Sequence, residues 1–320
     1  MDPLCPENRG AGIGSFRMTS SGAMNTMTHS TTAWPVKTRE LKHPLMDSTR
    51  WNNFAFRDDD IVVATYSKSG TTLTQQILAQ LILDADPEIF GCDVSPWLEA
   101  GPEGVMLERA AAQTHRRFLK THLPLENLVY SPRAKYITVG RDPRDVAWSL
   151  HNHFMGFNPE FAKQIELPPP NPDVRLFYLD FLNGRVQDLP YWSHIQGWWD
   201  VRALPNLLTL HYADLIGDMP GQIRRIARFL GITLDEARLP QIVEHCSMAH
   251  MRKVGAGSEH LTRAFRDGIR TFINKGVNGR WRDVLTQSEI DACDQIAARE
   301  LTPDCAAWLR HGGNFRSSPA

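Results

Sequence analysis

Residues 66–72 of this 320-residue chain read Tyr66-Ser67-Lys68-Ser69-Gly70-Thr71-Thr72. The loop lies between a strand-like apolar run, residues 60–65, and a helix-like apolar run, residues 73–83. Such a junction presents unpaired backbone N–H groups at a helix N-terminus, where the helix dipole favours an anion. Gly70 lets a ligand approach the backbone closely, and Lys68 adds a positive charge. Hydroxyl donors follow at Ser69, Thr71 and Thr72. The loop therefore predicts a P-loop-like phosphate cradle.

Two other interpretations of this loop need consideration. A Walker A loop has the pattern Gly-x-x-x-x-Gly-Lys-[Ser/Thr], whereas here the lysine precedes a single glycine. An ordinary strand-to-helix turn with a capping Ser or Thr stays open on these residues alone. The choice between a turn and an anion site depends on the rest of the chain.

Composition and charge limit the class of protein. The chain is 42% hydrophobic, which is ample for one large α/β domain or two small ones. Its net charge of −1 and pI near 6.9 argue against a nucleic-acid partner. The five cysteines are scattered without metal-ligand or redox spacing, which favours a reducing, cytoplasmic location. We recognise neither an apolar run of membrane-spanning length nor a signal peptide.

The pattern along the chain predicts one ordered domain after a leader. Residues 1–33 are rich in small and polar residues and predict a disordered leader, or a later start at Met18, Met24 or Met27. Residues 34–315 form the predicted domain. Strand-like runs are residues 61–65, 117–120, 135–140 and 206–212, and helix-like runs are 73–83, 145–153, 191–200, 222–230 and 236–246. This alternation predicts an α/β fold with a central parallel sheet flanked by helices and ligands at the carboxyl ends of the strands.

A second candidate anion site follows the strand-like run 136–140. Asp142 is suited to cap a helix that opens with Pro143. Arg141 then stands beside another helix N-terminus, and Ser149 follows eight residues later. An arginine fork with a hydroxyl can grip a phosphate, whereas a surface pair between Arg141 and Asp145 would contribute little. Both interpretations stay open on these residues alone.

Several motifs, in order, resemble those of the cytosolic sulfotransferases. The first loop is similar to that family's 5′-phosphosulfate loop, Tyr-Pro-Lys-Ser-Gly-Thr-Thr-Trp, and the pair Arg141 and Ser149 looks like its 3′-phosphate motif. The remaining matches are Lys120-Thr121-His122-Leu123-Pro124, Tyr212-Ala213-Asp214-Leu215 and Asn274-Lys275-Gly276-Val277-Asn278-Gly279-Arg280-Trp281. Together they cover about residues 35 to 290.

This resemblance implies transfer of a sulfuryl group from 3′-phosphoadenosine 5′-phosphosulfate (PAPS) to an acceptor hydroxyl or amine, without a metal. The implied base is His122, which removes the acceptor's proton. Lys68 would neutralise charge on the bridging oxygen of the leaving nucleotide, and Lys120 would support the transferring group. The implied nucleotide-binding residues are Lys68, Ser69, Gly70, Thr71, Thr72, Arg141, Ser149, Tyr212, Lys275 and Gly276. On the residues alone, His122 is equally compatible with a satisfied histidine at a strand end.

The chain departs from the family pattern at several positions. Leu73 replaces the tryptophan that stacks on adenine, and Asn274 replaces a clamp arginine for which Arg270 or Arg280 could substitute. The family's dimerisation motif, Thr-Val then Glu, lacks its valine at residues 286–289, which leaves a homodimer open. His151, His153 and the three tryptophans Trp192, Trp198 and Trp199 are assigned structural roles by default.

The acceptor is expected to be a small molecule. Apolar residues in the loops expected to surround it favour an apolar alcohol, phenol or lipid; they are Phe90, Trp97, Phe154, Phe157 and Phe161. Two other functions are possible on the residues alone. A P-loop kinase would need a Walker lysine and a magnesium-binding carboxylate, and a non-catalytic relative would not need the set His122, Lys68 and Lys120.

Overall fold

The computed structural model describes residues 33–102, 104–186 and 189–313. From Trp34 onward the chain forms one compact unit. The predicted leader, apart from Ala33, and the predicted domain end at residue 315 lie outside the described residues.

The centre of the fold is a four-stranded parallel sheet, as the alternating pattern predicts. A short antiparallel hairpin, β1 (Lys42–His43) and β2 (Met46–Asp47), precedes it. The sheet strands are β3 (Ile61–Ala64), β4 (Phe118–Thr121), β5 (Lys135–Gly140) and β6 (Leu207–His211), in the order β4-β3-β5-β6. All four residues of β3 are buried, which is typical of a parallel sheet covered on both faces.

Helices surround this sheet. In chain order they are α1 (Thr71–Ile82), α2 (Gly91–Val94), α3 (Val105–Ala111), α4 (Pro143–Met155), α5 (Pro159–Gln164), α6 (Val174–Leu182), α7 (Tyr191–Asp200), α8 (Tyr212–Gly217), α9 (Met219–Leu230), α10 (Leu239–His245), α11 (Met248–Val254), α12 (Glu259–Ala264), α13 (Ile269–Phe272), α14 (Gln287–Glu300) and α15 (Pro303–His311). The α/β fold predicted from the sequence is confirmed. Within the described part of the chain, we find no helix with the length and apolarity to cross a membrane.

Capping residues explain where several elements begin. Asp142 accepts a hydrogen bond from the Arg144 N–H and Pro143 opens α4, so this helix starts two residues before the predicted one. His211 Nδ1 accepts from the Ala213 N–H, which ends β6 and starts α8 at Tyr212, inside the predicted strand. The predicted helix at 236–246 begins only at Leu239.

The tryptophans of α7 are core residues, as expected. Trp192, Trp198 and Trp199 expose no more than 6% of their surface. Residues 286–289, where the family's dimerisation motif lacks its valine, cap a helix. Thr286 and Glu289 form a capping box at the start of α14, in which each side chain accepts from the other residue's N–H.

The strand order brings the predicted site residues to one edge of the sheet. Because β3 lies between β4 and β5, the loops after these three strands start side by side at their carboxyl ends. These loops carry residues 66–72, His122 and Arg141, respectively.

Candidate active site

The loop after β3 has the geometry expected of an anion cradle at the N-terminus of α1. Gly70 has a φ of 118°, and a Cβ there would lie 2.8 Å from Tyr212 Cδ2. No side chain caps α1, which leaves its first-turn N–H groups for a ligand. Ser69 is fully buried, and its Oγ has no hydrogen-bond partner among the described residues. An unpartnered buried hydroxyl beside free amides fits a phosphate or sulfate oxygen better than an ordinary turn.

One hydrogen bond fixes the tautomer of His122. Its Nδ1 lies 2.8 Å from the carbonyl oxygen of Thr65, which can only accept. Nδ1 therefore carries the proton, and Nε2 retains its lone pair. Burial and the charge of Lys120 lower the pKa of His122 to about 3, so the ring is neutral near pH 7. A neutral imidazole with a free lone pair is suited to accept a proton.

Glu99 holds the segment that carries His122, a role that we did not predict from the sequence. Its buried carboxylate accepts from Thr121 Oγ1 at 2.6 Å, from the His122 N–H at 3.0 Å and from Trp51 Nε1 at 2.9 Å. In the sequence, the available signal is an acidic residue inside the otherwise uncharged stretch 94–102. Burial without pairing is costly for a carboxylate, which is why such residues collect donors.

Lys68 contacts a second histidine. Its Nζ lies 3.1 Å from His153 Nδ1 and 5.1 Å from the centre of the Phe272 ring. Burial and the nearby charges of Arg141 and Lys120 lower the pKa of Lys68 to about 7. His153 therefore contacts a predicted catalytic residue in addition to the structural role expected for it. His151 packs against Phe177, as expected. Ser149 and His153 are four residues apart on α4, a spacing that places both on one helix face.

Lys120 lies in the same cavity as Lys68 and His122. Its ammonium lies 4.4 Å from the centre of the Trp97 ring, and burial lowers its pKa. Lys68, Lys120 and His122 line the same cavity, and the charge of Lys120 helps to lower the pKa of the other two.

Arg141 is buried between the cradle and the C-terminal segment 274–281. Its guanidinium donates to the Lys68 carbonyl at 2.8 Å and to Asn278 Oδ1 at 3.0 Å, and it stacks 4.3 Å from the Tyr212 ring centre. Arg141 and Asp145 are both buried, and the Asp145 carboxylate accepts a hydrogen bond from the Gly279 N–H. The surface-pair interpretation of Arg141 is therefore wrong.

Segment 274–281 closes one wall of the cavity. Tyr212 Oη donates to the Gly276 carbonyl at 3.1 Å, and a Cβ at Gly276 would clash with Met248. Lys275, Gly276 and Ser149 all line the cavity. Of the two arginines weighed as substitutes for the clamp position, Arg280 lines the cavity, and its guanidinium lies 5.9 Å from the Trp148 ring centre.

These groups surround one cavity of about 690 Å³. Aromatic side chains line the part of the cavity beyond Lys68 and His122. Four of them are residues predicted from the sequence: Trp97, Phe154, Phe157 and Phe161. Phe265 and Phe272 also line it and were not predicted. Phe90 is buried in the core and does not line the cavity, so its predicted acceptor role is wrong.

The fold and the site together define an α/β protein with a P-loop-like loop at a helix N-terminus, beside a buried, neutral histidine. Residues 58–303 match the family described as the sulfotransferase domain. This match covers more than half of the chain. The chain belongs to the sulfotransferase family and is a sulfotransferase.

Curated relatives agree with this assignment, and solved structures share the fold. A glycolipid sulfotransferase of Mycobacterium bovis (strain BCG / Pasteur 1173P2) is 32% identical over 87% of this chain and 96% of its own. Sulfotransferase 2B1 of Mus musculus is 32% identical over 78% of this chain and 73% of its own. Mouse sulfotransferase SULT7A1 complexed with PAP has a TM-score of 0.67 at 23% identity, covering 83% of this chain and 93% of that one. Retinol dehydratase in complex with androsterone and inactive cofactor PAP has a TM-score of 0.64 at 26% identity, covering 80% and 84%.

Proposed function

We propose that this sulfotransferase moves the sulfuryl group of PAPS to the hydroxyl of a small apolar acceptor, with His122 as the general base. The carrying observation is the hydrogen bond from His122 Nδ1 to the Thr65 carbonyl. That bond leaves the Nε2 lone pair free in the cavity that also contains the cradle, Lys68 and Lys120.

The charges around His122 suit in-line transfer. His122 Nε2 takes the acceptor's proton while the acceptor oxygen forms its bond to sulfur. As the bond from sulfur to the bridging oxygen breaks, negative charge grows on that oxygen, and Lys68 with the first-turn amides of α1 stabilises it. Lys120 supports the oxygens of the transferring group.

Nucleotide binding is assigned to the cradle and to the wall opposite it. Ser69, Gly70, Thr71 and Thr72 hold the 5′-phosphosulfate, and the orphan hydroxyl of Ser69 supports this assignment. The 3′-phosphate is assigned to Arg141 and Ser149, with Lys275 and Gly276 beside them.

Two other residues could replace family residues that this chain lacks. Arg280 takes the place of the family's clamp arginine, where Asn274 now stands. Trp148, which lines the cavity beside Arg280, offers the aromatic face that Leu73 cannot provide. Tyr212 lines the adenosine side.

The acceptor part of the cavity favours an apolar alcohol, phenol or lipid. Rings of Phe154, Phe157, Phe265 and Phe272 bound it and provide few polar partners for a carbohydrate chain. The relative named as a glycolipid sulfotransferase supports a lipid-like acceptor.

A radiolabel assay tests the proposed function. The purified chain is incubated with sulfur-labelled PAPS, without Mg²⁺, and with a sterol, a simple phenol, a glycolipid or a soluble polysaccharide. We expect label to enter at least one of the first three acceptors and not the polysaccharide. Transfer to the polysaccharide alone would contradict the acceptor class. Labelled ATP serves as the control donor, because a kinase would transfer its phosphate in the presence of Mg²⁺.

A further inference from the structure

A second polar cluster lies outside the candidate active site, where α10 is followed by α11. Glu244 and His245 end α10, and His250 lies in the first turn of α11. Glu244 Oε2 lies 3.4 Å from His250 Nδ1 and 3.6 Å from His245 Nε2. The three ligand-type atoms all lie within 4.8 Å of one another. Four ligands at zinc's usual bond lengths stand about 3.3 Å apart, close to these separations.

The tautomer of His250 follows from its outer contact. His250 Nε2 lies 2.9 Å from the carbonyl oxygen of Pro87, which has no proton to give. Nε2 is therefore the protonated nitrogen of the neutral ring. Nδ1 then has a lone pair, and that lone pair faces Glu244.

The tautomer of His245 follows from a chain of two hydrogen bonds. Gln80 Nε2 donates to the Asp86 carbonyl at 2.9 Å, which fixes the orientation of the amide. Gln80 Oε1 is then the atom 2.7 Å from His245 Nδ1, so Nδ1 donates and Nε2 has the lone pair.

Two imidazole lone pairs thus converge on one carboxylate. That arrangement is repulsive unless a cation lies between the three groups. Among the described residues no lysine or arginine forms an ion pair with Glu244, whose side chain is 62% exposed and leaves a path to solvent. Each histidine also has the outer acceptor that orients imidazole ligands of metals.

We propose that Glu244, His245 and His250 bind a divalent metal ion of the zinc class, with a fourth position open to water. A set of two imidazoles and one carboxylate suits Zn²⁺, and also Co²⁺ or Ni²⁺ as substitutes. The site lies apart from the reacting groups and is structural. It joins α10 to α11 and, through Gln80 and Pro87, to the end of α1.

The site would stabilise the wall of the nucleotide cavity. Arg252 of α11 donates to the Ile273 carbonyl at 3.0 Å and to the Asn274 carbonyl, so α11 anchors the start of segment 274–281. Met248 of the same helix packs beneath Gly276. Metal binding therefore raises the stability of this region without taking part in sulfuryl transfer.

Metal titration of the untagged, chelator-treated chain tests this proposal. Binding of Zn²⁺ is followed by calorimetry, and binding of Co²⁺ by its visible ligand-field absorption. We expect one equivalent to bind and to raise the melting temperature. Glu244→Gln alters an exposed side chain and keeps its size. The affinity of this variant for Zn²⁺ should fall by at least about 10- to 100-fold.

The matched control is His115→Ala, which removes a partly exposed histidine outside the cluster. Its titration should equal that of the unchanged chain. His250→Asn provides a second ligand variant, with circular dichroism to verify folding. The proposal is overturned if no stoichiometric binding occurs, or if Glu244→Gln binds Zn²⁺ as tightly as the control. If neither chain binds metal and Glu244→Gln only reduces the pH dependence of the melting temperature, the site belongs to a proton and the proposal is overturned.

Discussion

At the scale of single residues, the tautomer of His122 decides whether it can act as a base. The Thr65 carbonyl fixes the proton on Nδ1, so the opposite nitrogen is the one that can accept a proton. We expect His122→Ala to lower turnover by a factor on the order of 10² to 10⁴. Calorimetry should show that the nucleotide product still binds, because the cradle is intact. Turnover equal to that of the unchanged chain would remove His122 from the mechanism.

Lys68 is expected to change its protonation when nucleotide binds. Its pKa near 7 leaves a fraction of the side chain neutral at pH 7.5, and a bound anion favours the charged form. Binding of PAP should therefore take up protons, measured by calorimetry in buffers of different ionisation enthalpy. Lys68→Met should abolish this uptake and depress kcat more than PAPS affinity. A variant that turns over normally at saturation, with much weaker binding, would reduce Lys68 to an anchor.

Arg141 is expected to select nucleotides that have a 3′-phosphate. It is buried, and its guanidinium is oriented by the Lys68 carbonyl and Asn278. Arg141→Ala should cost about 2–5 kcal/mol in affinity for PAP, with a much smaller loss for the nucleotide without that phosphate. Arg270→Ala, an exposed arginine away from the cavity, is the control. An equal loss for both nucleotides would show that Arg141 holds another part of the ligand.

At the scale of elements, the end of β4 depends on a carboxylate from a distant loop. Glu99 accepts from Trp51, Thr121 and the backbone of His122, so its loss leaves three buried donors unpaired. Each unpaired donor costs about 1–3 kcal/mol. Glu99→Ala should lower the melting temperature and, well below it, reduce kcat while PAP affinity is retained.

The control for this element is Glu126→Ala, which removes an exposed carboxylate whose ion pair within the described part of the chain is with exposed Arg39. Little change is expected there, since exposed ion pairs contribute weakly. If Glu99→Ala lowers stability but leaves kcat unchanged, Glu99 supports the fold without positioning His122.

At the scale of the whole molecule, buried histidines make stability sensitive to acid. His122 and His194 are both buried, and burial lowers the pKa of each to about 3. Below pH 6.5 these two histidines bind protons in the unfolded chain but stay neutral in the folded chain. The free energy of unfolding therefore falls as pH decreases. Each group contributes up to about 1.4 kcal/mol per pH unit between its folded and unfolded pKa values.

Urea unfolding at several pH values between 6.5 and about 4.5, above the range of most carboxylates, measures this slope. His194→Leu should reduce the slope, because it removes one histidine that does not accept a proton in the folded state. His115→Ala, the matched control, should leave it unchanged. An identical slope in His194→Leu would mean that His194 is accessible to protons in the folded chain.

The sequence by itself determined the fold class and most of the cradle. Residues 66–72 and Arg141 directly follow apolar strand-like runs, and parallel strands bring their carboxyl ends to one edge. Local patterns carry this information, because strand periodicity, glycine placement and helix capping depend on neighbouring residues. Leu73 and Asn274 were recognised as departures for the same reason.

Only the tertiary structure decided which distant side chains complete the site. Glu99 accepts a hydrogen bond from the distant His122 N–H, and Lys68 contacts His153. Phe265 and Phe272 line the aromatic part of the cavity, whereas Phe90 is buried in the core. The arrangement of Glu244, His245 and His250 likewise depends on Gln80 and Pro87, more than 150 residues earlier in the chain. Such contacts join residues far apart in sequence, and their geometry is set by how helices pack on the sheet rather than by any local pattern.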